Sequence, residues 1–158
     1  MSTRTESSSK GVRWLLACVV LVAAMGLRPR SASAQICWVS TTSVNFGTYS
    51  VFSPTDLPAT GGVSYFCLLG TRARTTCIGA GSGATVAQRR MVGLSGSIRY
   101  NLYIDAAHTR IWGDAPPNCL VDTGFSVLGR YTVFGLIPAA QDVAVGSYSD
   151  SVVVTLLF

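Results

Sequence analysis

The sequence predicts an all-β fold, a small sandwich of short strands. Three observations carry that expectation. From Gln35 onward every charged residue is Arg or Asp, with no Lys and no Glu, while Gly, Ser, Thr, Val and Tyr are plentiful; this favours strands over helices. Period-2 alternation of apolar and polar residues recurs, most clearly at Ile98–Asp105 and Ser147–Phe158. Glycine and proline punctuate the chain between these runs, the pattern of many short strands packed in two layers.

The N-terminal 34 residues read as an export signal and are set apart from the fold. Arg4, Lys10 and Arg13 make a basic start, Trp14 to Leu27 an apolar run, and Ala32-Ser33-Ala34 a small-x-small cleavage site. The run is short for a membrane span of about 20 apolar residues. An uncleaved anchor is the rival reading, and lipid attachment at Cys18 is disfavoured because only four apolar residues separate it from Arg13. The expected domains are therefore 1–34, a signal peptide, and 35–158, one sandwich. No membrane contact is expected after cleavage.

Five of the twelve basic residues and one of the seven acids lie in the leader, so the remainder carries seven Arg against six Asp, a net +1. The basic pI gives no support for nucleic acid as a partner. Four cysteines remain, Cys37, Cys67, Cys77 and Cys119. In an exported domain an even count reads as two disulfides, with three pairings possible. No Cys-x-x-Cys occurs and His108 is the single histidine, so a zinc site lacks its ligands.

In chain order, Ile36–Thr42 is a first strand, and Val44–Tyr49 a second extended piece. Ser53–Gly62, with Pro54, Pro58, Gly61 and Gly62, reads as a loop. Val63–Leu68 is a strand, Thr75–Ile78 a short one, and Gly79–Gly83 a turn. Ala84–Val92 fits a strand or a helical turn equally. Ile98–Asp105 is one strand with Ile98, Tyr100, Leu102 and Ile104 on its apolar side. Arg110–Trp112 reads as the next strand of a hairpin closed by Gly113-Asp114, and Ala115–Gly124 as a disulfide-pinned loop. Arg130–Ile137 is a strand, and Pro138–Gly146 a connection. Ser147–Phe158 is the last strand, with Val152, Val154, Leu156 and Phe158 turned to the core. An apolar terminal strand with no visible neighbour invites pairing along its edge.

The ordered set Cys37, Phe46-Gly47-Thr48-Tyr49, Cys67, Tyr100-Asn101-Leu102-Tyr103, Trp112-Gly113-Asp114, Leu136-Ile137-Pro138-Ala139-Ala140-Gln141, Gly146-Ser147-Tyr148-Ser149-Asp150 and the terminal Val-Thr-Leu-Leu-Phe resembles the spore coat protein U domain family, which includes subunits of archaic chaperone–usher pili. The resemblance covers the chain from Gln35 on. It implies an immunoglobulin-like sandwich lacking its last strand, whose vacant groove takes a periplasmic chaperone and then the N-terminal extension of another subunit. The acceptor edge it implies is Val152, Val153, Val154, Thr155, Leu156, Leu157 and Phe158. Partners implied are the chaperone, an outer-membrane usher and other pilin-like subunits, with no cofactor. It also implies that Cys37 joins Cys67, leaving Cys77 with Cys119. Shaft subunits of this type carry a donor extension of more than about ten residues. Only Gln35 and Ile36 lie between the expected cleavage site and Cys37, so the expected role is acceptor rather than donor.

Other readings are weaker. His108 with Asp105 and a serine could be drawn as a triad, but no Gly-x-Ser-x-Gly elbow occurs and His108 falls in a polar turn, so no enzyme is expected. Gly79–Ala84 lacks the βαβ context of a dinucleotide fingerprint. Arg72, Arg74, Arg89 and Arg90 read as a solvated face before an acidic-glycan patch. Trp38 and Trp112 read as packing residues before a sugar platform; a small secreted adhesive or glycan-binding module is the alternative function.

Overall fold

A computed structural model describes residues 36–68, 73–124 and 126–158. The export-signal reading and Arg72 lie outside the described residues. Among the described residues nine strands form: β1 (Ile36–Thr42), β2 (Leu57–Leu68), β3 (Arg74–Ile78), β4 (Arg90–Gly93), β5 (Gly96–Arg99), β6 (Asn101–Tyr103), β7 (Leu120–Asp122), β8 (Leu128–Ile137) and β9 (Val154–Leu157), with one 3-10 turn at Val86–Gln88. One sheet has the order β1-β2-β8-β6, a second β7-β3-β9, and β4-β5 is a separate hairpin; every pairing is antiparallel.

The core lies between the sheets. Val63 and Val133 point inward from the first sheet, Ile78 from the second, and Ile98, Tyr100, Leu102, Trp112 and Ile137 complete the cluster. Trp112 is wholly buried, and its indole N–H donates to the Thr76 carbonyl at 2.8 Å, as a buried indole requires. The predicted all-β sandwich with two disulfides is the architecture found. Cys37 bonds Cys67, its direct partner across β1 and β2. Cys77 of β3 bonds Cys119, which immediately precedes β7, the strand beside β3.

Several element readings are corrected. Ser53–Gly62 is not all loop, because β2 begins at Leu57 and runs through Gly61 and Gly62. These glycines are there for close approach: a Cβ on Gly61 would meet the Thr42 carbonyl and a Val44 methyl at 2.7 Å. Val44–Tyr49 joins no ladder; it lies over β8, where a Cβ on Gly135 would meet Val44 at 2.6 Å and Phe46 at 2.8 Å. Ile98–Asp105 keeps its alternation but breaks at Tyr100, pairing with β4 before it and β8 after it. Arg110–Trp112 contributes a single bridge, Tyr103 to Ile111, and Ala115–Gly124 contains β7. In Ser147–Phe158 only Val154–Leu157 forms a ladder.

The arginine reading fails in an informative way. Arg90 is exposed, but Arg74 and Arg89 are buried. The Arg89 guanidinium donates to the carbonyls of Gly79 (2.9 Å), Ile78 (2.7 Å) and Trp112 (2.7 Å) and to Asn101 Oδ1 (2.8 Å). Five fixed donors suit such a multi-carbonyl site. Burial lowers the Arg89 pKa, and the nearby Tyr100, Asp114 and Asp150 oppose that shift.

Candidate functional site

The register of β9 decides which of its backbone groups are free. Gly79 N–H donates to the Val153 carbonyl at 2.9 Å, and β3 pairs Cys77 with Thr155 and Thr75 with Leu157. In an antiparallel ladder alternate residues direct both N–H and C=O to the same side. Thr155 and Leu157 therefore spend their backbone groups on β3, and the Val153 carbonyl is taken by Gly79 just past its end. Val152, Val154 and Leu156 direct theirs away from it, and among the described residues β9 has no neighbour on that side. The predicted acceptor edge thus divides in two, and the unpartnered half is Val152, Val154 and Leu156.

Beside this edge the sandwich is open. Two adjoining clefts of about 790 and 630 Å³ run between the segments Ser43–Phe52 and Val143–Val154. They meet at Phe46, Met91 and Tyr148, which border both. Their floor is the core itself: Val63, Ile78, Tyr100, Leu102 and Val133 under one, Ile98 and Ile137 under the other. Val39 shows the consequence. It sits opposite the buried Tyr65 on the inward row of β1, yet it is 43% exposed where it borders the cleft. Val152, Val154 and Leu156 are likewise only half-buried. Phe158, expected to face the core, is 54% exposed, since it lies beyond the end of the ladder.

The residues that carry the resemblance build this opening. Phe46 meets Tyr100 edge-on at 5.9 Å. The Tyr100 hydroxyl donates to Asp150 Oδ2 at 2.7 Å, and Asp150 Oδ1 accepts from Ser82 N and Oγ and from Ser151 N, each at 2.8 Å. Among the described residues Asp150 is the one charged residue lining either cleft, and these four donors engage it. Burial first, then Asp150, push the Tyr100 pKa well up. Gln141 is buried and clamps the cleft wall, donating to the carbonyls of Arg99 and Pro138 and accepting from Arg99 N. Tyr49 OH accepts from Gln141 N at 2.9 Å and donates to Pro138. Tyr148 OH donates to the Ala144 carbonyl at 2.6 Å. Leu102 and Trp112 form the core below, Gly113 accepts from Ile78 N–H, and Gly146 lies on the rim. Asp114 is exposed and Gly47 has φ +68°, a turn position outside the ladders.

Residues the sequence did not single out complete the site. Met91, Val44 and the stretch Val143–Val145 line the clefts. Their signal was weak, because each falls in a segment without clear periodicity. His108 lies in a turn at φ 56°, edge-on to Tyr103 at 5.1 Å. Asp105 spends its carboxylate on Thr109 and Arg110 N–H, so the paper triad is not assembled. Among the described residues no cluster of His, Cys, Asp or Glu could hold a metal ion, and no helix is long and apolar enough to cross a membrane.

The family model of the Spore Coat Protein U domain matches residues 22–155. The chain belongs to the Spore Coat Protein U domain family. A curated relative, Protein U of Myxococcus xanthus, is 34% identical over 128 residues, covering 73% of this chain and 72% of that protein. Among solved structures, the CsuC–CsuE chaperone–tip adhesion subunit pre-assembly complex from archaic chaperone–usher Csu pili of Acinetobacter baumannii contains a chain of similar fold. The TM-score is 0.56 at 19% identity, over 79% of this chain and 40% of that one. This spore coat U chain thus shares the fold of a component of pilus assembly while spanning two fifths of its length.

A second acidic group holds the opposite end of the sandwich. Asp122 accepts from Tyr65 OH at 2.6 Å, Gly124 N at 2.9 Å and Tyr131 OH at 3.0 Å. The Tyr65 hydroxyl, then the Gly124 amide, hold its pKa below the usual carboxylate value. A depressed folded pKa contributes stability that is complete above the unfolded value and is lost as pH falls through the folded one. The denaturation midpoint should therefore hold steady down to about pH 4 and fall below it. Asp122→Asn should flatten that acid limb, as measured by denaturant titrations from neutral pH downward.

Proposed function

We propose that the chain is an exported structural subunit of a cell-surface assembly, a pilus of the archaic chaperone–usher type or a coat layer, which accepts a β-strand from another protein along β9. The observation that carries this reading is the unpartnered backbone of Val152, Val154 and Leu156 beside an apolar cleft floored by the core. An open edge and an apolar groove together suit strand addition, in which backbone pairing gives affinity and alternate side chains fill the floor. Strand addition of this kind is an established mode of pilus assembly, and the fold shared with a component of a chaperone–subunit complex supports a chaperone, an usher and other subunits as partners. Export follows from the same reading, with the N-terminal segment as its signal.

Hydrogen exchange tests it residue by residue. Without a partner, the amides of Thr155 and Leu157 should exchange slowly and those of Val152, Val154 and Leu156 quickly. Adding the cognate chaperone or a donor-strand peptide should slow the second set alone. Protection arising elsewhere, with the even-numbered amides still fast, would sink the assignment of β9 as acceptor.

A further inference from the structure

The outward face of the first sheet carries a feature that the strand groove does not explain. Along the middle of β2 the inward row is buried: Val63, Tyr65 and Cys67 are each 3% exposed or less. The outward row should be polar where it meets water. At one end it is not. Ile36 pairs with Leu68, Trp38 with Phe66, and Phe66 with Leu128, and these five side chains are between 41% and 55% exposed. Trp38 and Phe66 stack with ring centroids 5.8 Å apart and planes 23° from parallel. Two residues further along, the same face turns polar, with Ser40, Ser64 and Arg130 in register. The result is a flat apolar patch with a polar border.

We infer that this face is a contact surface for a second copy of the chain. The five side chains expose roughly 400–600 Å² together, at the upper end of what a monomer normally leaves uncovered. Two such faces stacked would bury about 1,000 Å², near the lower limit for a specific interface. That area predicts a weak, reversible dimer rather than an obligate one. Charge points to the same occupant. The patch contains no charged residue, and residues 36–158 hold seven Arg against six Asp, so two copies meet with little repulsion. Aromatic side chains at the centre and an arginine on the border are the composition of an interface core and rim. A face-to-face contact leaves the β9 edge free, so lateral pairing of copies is independent of strand acceptance.

Sedimentation equilibrium on the purified protein, from micromolar to about 1 mM, tests the proposal. A monomer–dimer equilibrium is expected, with iodide quenching of Trp38 falling as dimer forms while the buried Trp112 stays silent. Trp38→Ser and Phe66→Ser should each weaken the dimer at least tenfold; unchanged circular dichroism and melting would show that they fold. Val154→Pro, which blocks only the free edge of β9, should leave it intact. A monomer throughout the range, or a dimer lost in Val154→Pro and kept in Trp38→Ser, would overturn the assignment.

Discussion

A peptide of about ten residues with alternating apolar side chains, taken from the N-terminal extension of a partner subunit, should raise the melting temperature of this protein substantially. Burying four or five apolar side chains in the clefts is worth roughly 6–15 kcal/mol before the costs of association, comparable with the whole stability of a domain. At a concentration a hundred times the dissociation constant, linkage gives about 2.7 kcal/mol, or roughly 8–14 °C for a domain of this size. The backbone parity of β9 makes the control sharp. Val154→Pro removes an N–H from the open edge and should abolish most of the shift while lowering the unbound melting point only modestly. Thr155→Pro removes an N–H from the β3 ladder and should destabilise the free protein instead. Because Asp150 is the one charge among the described residues lining the clefts, the shift should be nearly the same in dilute and in molar salt. If neither such peptides nor a periplasmic chaperone move the melting point, the acceptor reading fails.

Arg89→Met should be among the most damaging single substitutions in the chain. It would strand the carbonyls of Gly79, Ile78 and Trp112, now served by one guanidinium, and leave Asn101 Oδ1 with Leu102 N–H as its remaining donor. Unsatisfied buried acceptors cost about 1–3 kcal/mol each and do not add fully, so about 3–5 kcal/mol is expected, partly offset by removing a buried charge. The melting temperature should fall by roughly 10–20 °C. Arg89→Lys should recover little, since an ammonium on a flexible stem cannot span four fixed acceptors. Arg90→Met, one residue along and exposed, should stay within about 0.5 kcal/mol. Equal effects at the two positions would contradict the buried network.

These two expectations differ in how much of their basis could be read from the sequence. The apolar alternation of Val152, Val154 and Leu156 was visible, as was the need of that strand for a neighbour, because a period of two is a local property. Which backbone groups remain free was not visible, since parity depends on the register with β3, whose partners lie 76 to 82 positions away in the chain. The loop assigned to Ser53–Gly62 failed for a related reason. Pro58, Gly61 and Gly62 are turn formers locally, but here glycine makes room for the crossing chain at Thr42 and Val44. Arg89 gave no sign of burial, because beside Arg90 it looks like half of a surface pair. Periodicity placed Tyr100 on an apolar face, while Gln141 and Asp150 were singled out as site residues by resemblance alone. Their hydrogen bonds supply the physical reason: they fix the segments that form the floor and walls of the clefts.

The placement of the disulfides bears on how the molecule would transmit force. Cys37–Cys67 ties two strands of the first sheet, and Cys77–Cys119 ties β3 to the residue that leads into its neighbour β7 in the second. Neither bond crosses from one sheet to the other. Each layer is covalently stitched within itself, while the layers adhere through their shared apolar interior, which resists shear less than a covalent tie. A strand laid in the clefts would bond along β9 in one layer and press against Ser43–Phe52, the segment that continues from β1 in the other. Under tension such a strand would act as a cross-beam, so the mechanical strength of the subunit would be acquired on assembly rather than on folding.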